Sequence, residues 1–173
     1  MSTRDICEVI LTPKSSQIFP YDSLQEAEST LKTLSASLRL DLHGVLNCIE
    51  PAKILQTSNP HTICVISFVG VNSETRPLAR KEIQERISTG QINFGILVFN
   101  RGSQKKADRN SYSKPGSKAW ANSLLQIPDG VKGIFIDDSE DHVLSVKEKC
   151  PHINCIQYTM NDRIELLNLL FWL

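Results

Sequence analysis

The stretch Leu38-Arg39-Leu40-Asp41-Leu42-His43-Gly44-Val45-Leu46 decides how this chain is read. An apolar strand is expected to run into Asp41, with His43 two positions on and Gly44 behind it. Side chains alternate along a strand, so Asp41 and His43 are expected to point the same way where the strand ends. Gly44 lets the chain turn there without a Cβ clash. An aspartate at the carboxyl end of a strand suits two tasks, attack on phosphorus and ligation of Mg²⁺. A strand end followed by a polar turn accounts for the same residues when they are taken alone.

The flanking sequence supplies further strands. Thr62 to Val69 and Ile92 to Phe99 are nearly continuous apolar runs, as strands buried on both faces require. Val131 to Ile136 is another strand, ending in Asp137-Asp138-Ser139, and Ile153 to Gln157 a short last one. Helices are expected between them. One covers Ser73 to Ile87, with Leu78, Ile83 and Ile87 on one side and Pro77 in its first turn. One opens at Lys114-Pro115 and runs through Trp120 and Leu124, one covers about Val143 to Lys149, and one covers Asn161 to Leu170. Ahead of the quoted stretch, Ile6 to Leu11 reads as a short strand and Thr12 to Ser23 as loop. Ser23-Leu24-Gln25-Glu26 has capping-box form and opens a helix from Leu24 to about Ser35.

This alternation implies an α/β fold, a doubly wound parallel sheet with helices on both faces. In such sheets ligands bind beyond the carboxyl ends of the strands. Asp41, Ser67, a basic loop with Lys114, and Asp137-Asp138 all fall at or past such ends. The expected organisation is a single domain, with residues 1–37 as an N-terminal extension packed on a core of residues 38–173.

Composition narrows the class. At 173 residues, 40% of them hydrophobic and 22% charged, the chain can bury a core without staples. Formal net charge is zero, so no overall field favours nucleic acid or membrane. The five cysteines show neither a CxxC pair nor zinc spacing, and no leader or apolar run near the ~20 residues of a membrane span is visible. Reduced thiols in a cytoplasmic protein are the expectation.

Four motifs, in order, resemble those of the haloacid dehalogenase-like (HAD) superfamily. They are Asp41-Leu42-His43-Gly44-Val45 after an apolar strand, Val65-Ile66-Ser67, Lys114-Pro115, and Ile134-Phe135-Ile136-Asp137-Asp138-Ser139. The resemblance implies a HAD-like fold and a Mg²⁺-dependent phosphatase or phosphotransferase. Asp41 would form an aspartyl-phosphate. Mg²⁺ would be held by Asp41, the His43 carbonyl and Asp138, with Asp137 a second ligand or an acceptor behind it. Ser67 and Lys114 would hold the transferring phosphoryl oxygens. Singly, each has a plainer reading: Ser67 or Asp137-Asp138 as a helix cap, Lys114 as a solvated charge.

His43 departs from the resemblance, because phosphatases of this superfamily usually carry an aspartate there as general acid and base. An imidazole can do both jobs near neutral pH. Two function classes follow: an active phosphatase, or a catalytically weakened domain that binds a partner or phospho-ligand. His142, four residues after Asp138, stands where the superfamily often has Asp or Asn and can orient a metal ligand. Short segments after the first motif imply a small cap or none, hence an open site for a phosphorylated small molecule, phosphoprotein or nucleic-acid end. Arg101, Lys105, Lys106 and Arg109 would guide such a polyanion, or simply solvate the loop.

Overall fold

The computed structural model describes residues 6–48, 62–70, 74–100 and 116–158. Its strands are β1 (Cys7–Ile10), β2 (Ile18–Tyr21), β3 (Leu38–Leu40), β4 (Ile63–Gly70), β5 (Phe94–Asn100), β6 (Gly133–Asp137) and β7 (Ile153–Gln157). The helices among the described residues are α1 (Leu24–Leu31), α2 (Thr75–Ser88), α3 (Gly116–Leu124) and α4 (Glu140–Lys149).

These strands form one seven-stranded mixed sheet in the order β2-β1-β5-β4-β3-β6-β7. β3 to β7 are mutually parallel, while β1 runs antiparallel to both β5 and β2. The expected all-parallel sheet is therefore corrected to a parallel set extended by an antiparallel edge. β2 falls inside the stretch read as loop; Pro20 hid it, since proline is tolerated in a sheet only at an edge such as this one. The expected last helix, Asn161 to Leu170, lies outside the described residues.

The pattern of apolar residues explains the layering. Leu38, Leu40, Val65, Leu97 and Ile136 face α2 through Ala79 and Ile83. On the other face Cys64, Ile66, Ile96 and Val98 pack under Trp120 and Ala121 of α3 and Ala27 and Leu31 of α1. Phe135 meets Ala119 of α3 and Val146 of α4. Leu78, expected on the inner side of α2, is 65% exposed. The buried face of that helix carries Arg76 and Arg86 beside Ala79 and Ile83, so its apolar signal is diluted by arginines. Arg76 is buried because Glu8 of β1 accepts from it at 3.0 Å, and its guanidinium lies 4.0 Å over the Phe99 ring. Arg80 also pairs with Glu8, so the N-terminal strand is tied to α2 by charge as well as by packing.

Arg39, in the middle of β3, is fully buried and has no acidic partner among the described residues. Its guanidinium instead donates to the carbonyls of Ala36 (3.0 Å), Asn122 (2.8 Å), Leu125 (3.3 Å) and Gln126 (3.2 Å). Three of these lie at the carboxyl end of α3, where the last turn leaves carbonyls without helical partners. No helix among the described residues is long and apolar enough to cross a membrane.

Candidate functional site

Along the parallel strands the chain moves from β3 to β4 to β5, then returns to the other side of β3 for β6 and β7. The direction of winding reverses between β3 and β6, and ligands of open α/β sheets bind at the carboxyl side of such a point. Asp41 follows β3 there, and Asp137 is the last residue of β6. The register pairs Leu40 with Ile136, so the two aspartates come level, and the Asp41 N–H donates to the Ile136 carbonyl at 2.9 Å.

A lysine lies between them. The Lys118 Nζ donates to Asp41 Oδ1 and to Asp137 Oδ2, each at 2.5 Å. Lys118 is 1% exposed, and a lysine is buried this far only when paired. It stands in the first turn of α3, which runs back along the sheet. The lysine expected in this role, Lys114, lies outside the described residues, as do Arg101, Lys105, Lys106 and Arg109. The sequence signal for Lys118 was its setting: a single charge beside Ala119, Trp120 and Ala121, three residues known to be good core fillers.

The two aspartates differ in their surroundings. Asp137 Oδ1 accepts the Ser139 N–H at 2.9 Å, and Oδ2 meets both Lys118 and His142 Nδ1, the latter at 3.2 Å. Burial works against its charge, but His142, Lys118 and the Ser139 N–H outweigh it and hold the carboxyl well below the usual range. Asp41 has only Lys118 to set against burial and the neighbouring carboxylates, and its carboxyl is pushed up to about 7. Ser139, not either aspartate, caps α4, its hydroxyl accepting the His142 N–H at 3.4 Å.

Asp138 completes the group. Oxygens of Asp41, Asp137 and Asp138 lie within 4.8 Å of one another. Asp138 is exposed, and its carboxylate rests on Gly44, where an added Cβ would come within 2.2 Å of Oδ2. Gly44 also has φ +88°, so both the turn and the close approach exclude a side chain. Within this turn Leu46 N–H occupies the Asp41 carbonyl (3.1 Å) and Asn47 N–H the Leu42 carbonyl (2.9 Å). Among the described residues the His43 carbonyl has no hydrogen-bond partner. Leu42, Val45 and Leu46 are buried and anchor the turn, whereas the His43 side chain is exposed.

The donors collected here are carboxylate and carbonyl oxygens, a set that suits a hard divalent cation. Asp41, Asp138 and the His43 carbonyl have capacity left for one. Asp137 is more heavily engaged, its Oδ2 meeting Lys118 and His142 and its Oδ1 accepting only the Ser139 N–H, so it orients Lys118 and His142 and keeps one acceptor position on Oδ1. Ser67 is buried in β4, which continues past it to Gly70. It shares the α2 face with Val65, whereas Lys118 comes from the opposite face, and among the described residues its hydroxyl has no hydrogen-bond partner.

Compared with protein-family models, with curated proteins and with solved structures, the chain matches none.

Proposed function

We propose that this protein is a Mg²⁺-dependent phosphomonoester hydrolase or phosphotransferase of HAD type, working through Asp41. The observation that carries this reading is a buried ammonium shared by two strand-end aspartates at the reversal point, with a third carboxylate beside them. The order of the parallel strands supports it, being that of a doubly wound sheet.

Asp41, Asp138 and the His43 carbonyl would hold Mg²⁺. When bound, the ion offsets the charge of the phosphoryl oxygens. Lys118 occupies Asp41 Oδ1 and leaves Oδ2 to attack phosphorus. The new Oδ2–P bond forms as the ester P–O bond breaks, and the departing oxygen takes a proton from His43. Water then attacks the phosphoryl group, gives its proton back to His43, and releases phosphate and the Asp41 carboxylate. An exposed His43 on an ordered turn can reach both a leaving group and a water.

The test is Mg²⁺-dependent hydrolysis of a phosphomonoester panel, with acid-quenched labelled phosphoenzyme measured in parallel. Wild type is expected to turn over, and His43→Ala to lose on the order of 10²–10⁴-fold in rate. Phosphoenzyme should accumulate in that variant. Neither turnover nor phosphoenzyme in wild type on any substrate would overturn the reading and leave a domain that only binds.

Two results are expected for the metal. Asp138→Asn and Gly44→Ala should each weaken Mg²⁺ by about tenfold or more in titration calorimetry, the first by removing a carboxylate and the second by displacing it. Unchanged affinity in both would remove Asp138 from the site. Affinity should also follow the Asp41 carboxyl, which must lose its proton to ligate. With that carboxyl at about 7, Mg²⁺ affinity should be level above neutral pH and fall as pH drops below about 7, with net proton release there. A flat profile between about pH 5 and 8 would show that Asp41 is not a ligand.

A further inference from the structure

Among the described residues, buried polar side-chain atoms without hydrogen-bond partners include Ser67 Oγ, His142 Nε2 and Ser117 Oγ, near the carboxyl edge. A buried polar group left unpaired is costly, so each calls for an explanation. Ser67 and His142 figure in the resemblance already drawn. Ser117 does not.

Ser117 is fully buried in the first turn of α3, immediately before Lys118. It lies one turn ahead of Trp120 and Ala121, which pack on Cys64 and Ile66, so it sits on the β4 side of Lys118. Side chains on a helix lean towards its N-terminus, which directs this hydroxyl towards the carboxyl edge of the sheet. The first amides of a nine-residue helix have no helical acceptor, and they point the same way. Hydroxyl, amides and the Lys118 ammonium thus converge from one helix end onto one region beside Asp41. Together they offer hydrogen-bond donors, the chemistry that recognises the oxygens of a tetrahedral oxyanion, while the Lys118 charge is balanced by Asp41 and Asp137.

We infer that Ser117 and the amino end of α3 hold the non-reacting oxygens of the phosphoryl group, with Ser117 Oγ donating a hydrogen bond to one of them. The inference rests on the proposed phosphoryl-transfer reading and adds to it the seat of the phosphate. It explains why a hydroxyl is buried unpaired: its partner arrives with the substrate.

The probe is inorganic phosphate, titrated in the presence of Mg²⁺ into wild type and Ser117→Ala, and without Mg²⁺ into wild type and Asp41→Asn. Asp41→Asn removes a carboxylate facing the anion and, metal-free, should bind phosphate more tightly than metal-free wild type. Ser117→Ala should bind about tenfold more weakly, the loss of one charge-assisted hydrogen bond. The phosphate-free thermal midpoint of Ser117→Ala should match or exceed that of wild type, because an unpaired buried hydroxyl is being removed. A fall in that midpoint with unchanged phosphate affinity would make Ser117 a structural residue. Equal phosphate affinity in wild type and Ser117→Ala would overturn the inference while leaving the Asp41 reading intact. No phosphate binding by wild type or Asp41→Asn would overturn the inference; absence of phosphoenzyme as well would remove the reading beneath it.

Discussion

Asp41→Asn should abolish Mg²⁺-dependent hydrolysis and phosphoenzyme formation altogether while making the metal-free protein more stable above neutral pH. The first half follows from chemistry, since an amide neither attacks phosphorus nor ligates Mg²⁺ well. The second follows from linkage. The folded Asp41 carboxyl is raised from 3.8 to about 7, so the native state holds a proton that the unfolded chain releases. Where the native state binds more protons, stability falls as pH rises, here between about 4 and about 7, and the deficit is fully present above that window. A neutral asparagine has no such deficit, and it leaves Lys118 paired one-to-one with Asp137. Chemical denaturation at about pH 8 should therefore place Asp41→Asn above wild type, by up to a few kcal/mol. An active Asp41→Asn, or one less stable than wild type at that pH, would show that Asp41 is a structural residue.

Lys118→Met is expected to have the largest effect on the fold. It keeps the apolar stem of the side chain and deletes the charge. Two buried carboxylates, Asp41 and Asp137, would then face each other without the ammonium that now lies 2.5 Å from each. Breaking a buried ion pair by removing one partner typically costs about 3–5 kcal/mol. Activity should disappear with stability, because Lys118 orients Asp41 Oδ1. Added Mg²⁺ should return part of the lost stability by supplying positive charge at the same place. Unfolding midpoints of the variant with and without Mg²⁺ measure both effects. A midpoint equal to that of wild type would mean that the Lys118 bridge contributes nothing.

The site was only partly legible in the sequence. Asp41, Asp137 and Asp138 stand out because charge at the end of an apolar run is conspicuous, and the strands β3 to β7 are apolar enough to be read directly. Lys118 is not conspicuous, because a helix shows which residues are charged but not which charge is turned inward. Lys114, next to a proline, is the more conspicuous lysine, and it lies outside the described residues. The same blindness applies to Arg76 and Arg86: an inward arginine looks like a solvent-facing one until its partner is known. β2 was lost because Pro20 signals a loop, and the antiparallel edge because apolar runs do not disclose strand direction.

The contacts of Arg39 bear on how this site can move. One strand grips both ends of one helix: Arg39 takes the final carbonyls of α3, and Asp41, two residues along, takes the ammonium from its opening turn. A slide of α3 by a single residue, a rise of ~1.5 Å, would unseat both grips together. The helix is therefore held like a gauge block between two jaws cut in the same piece. Lys118 keeps its register with Asp41 and Asp137 as long as the Arg39 contacts hold, and the exposed side chains above that fixed register are His43 and Asp138.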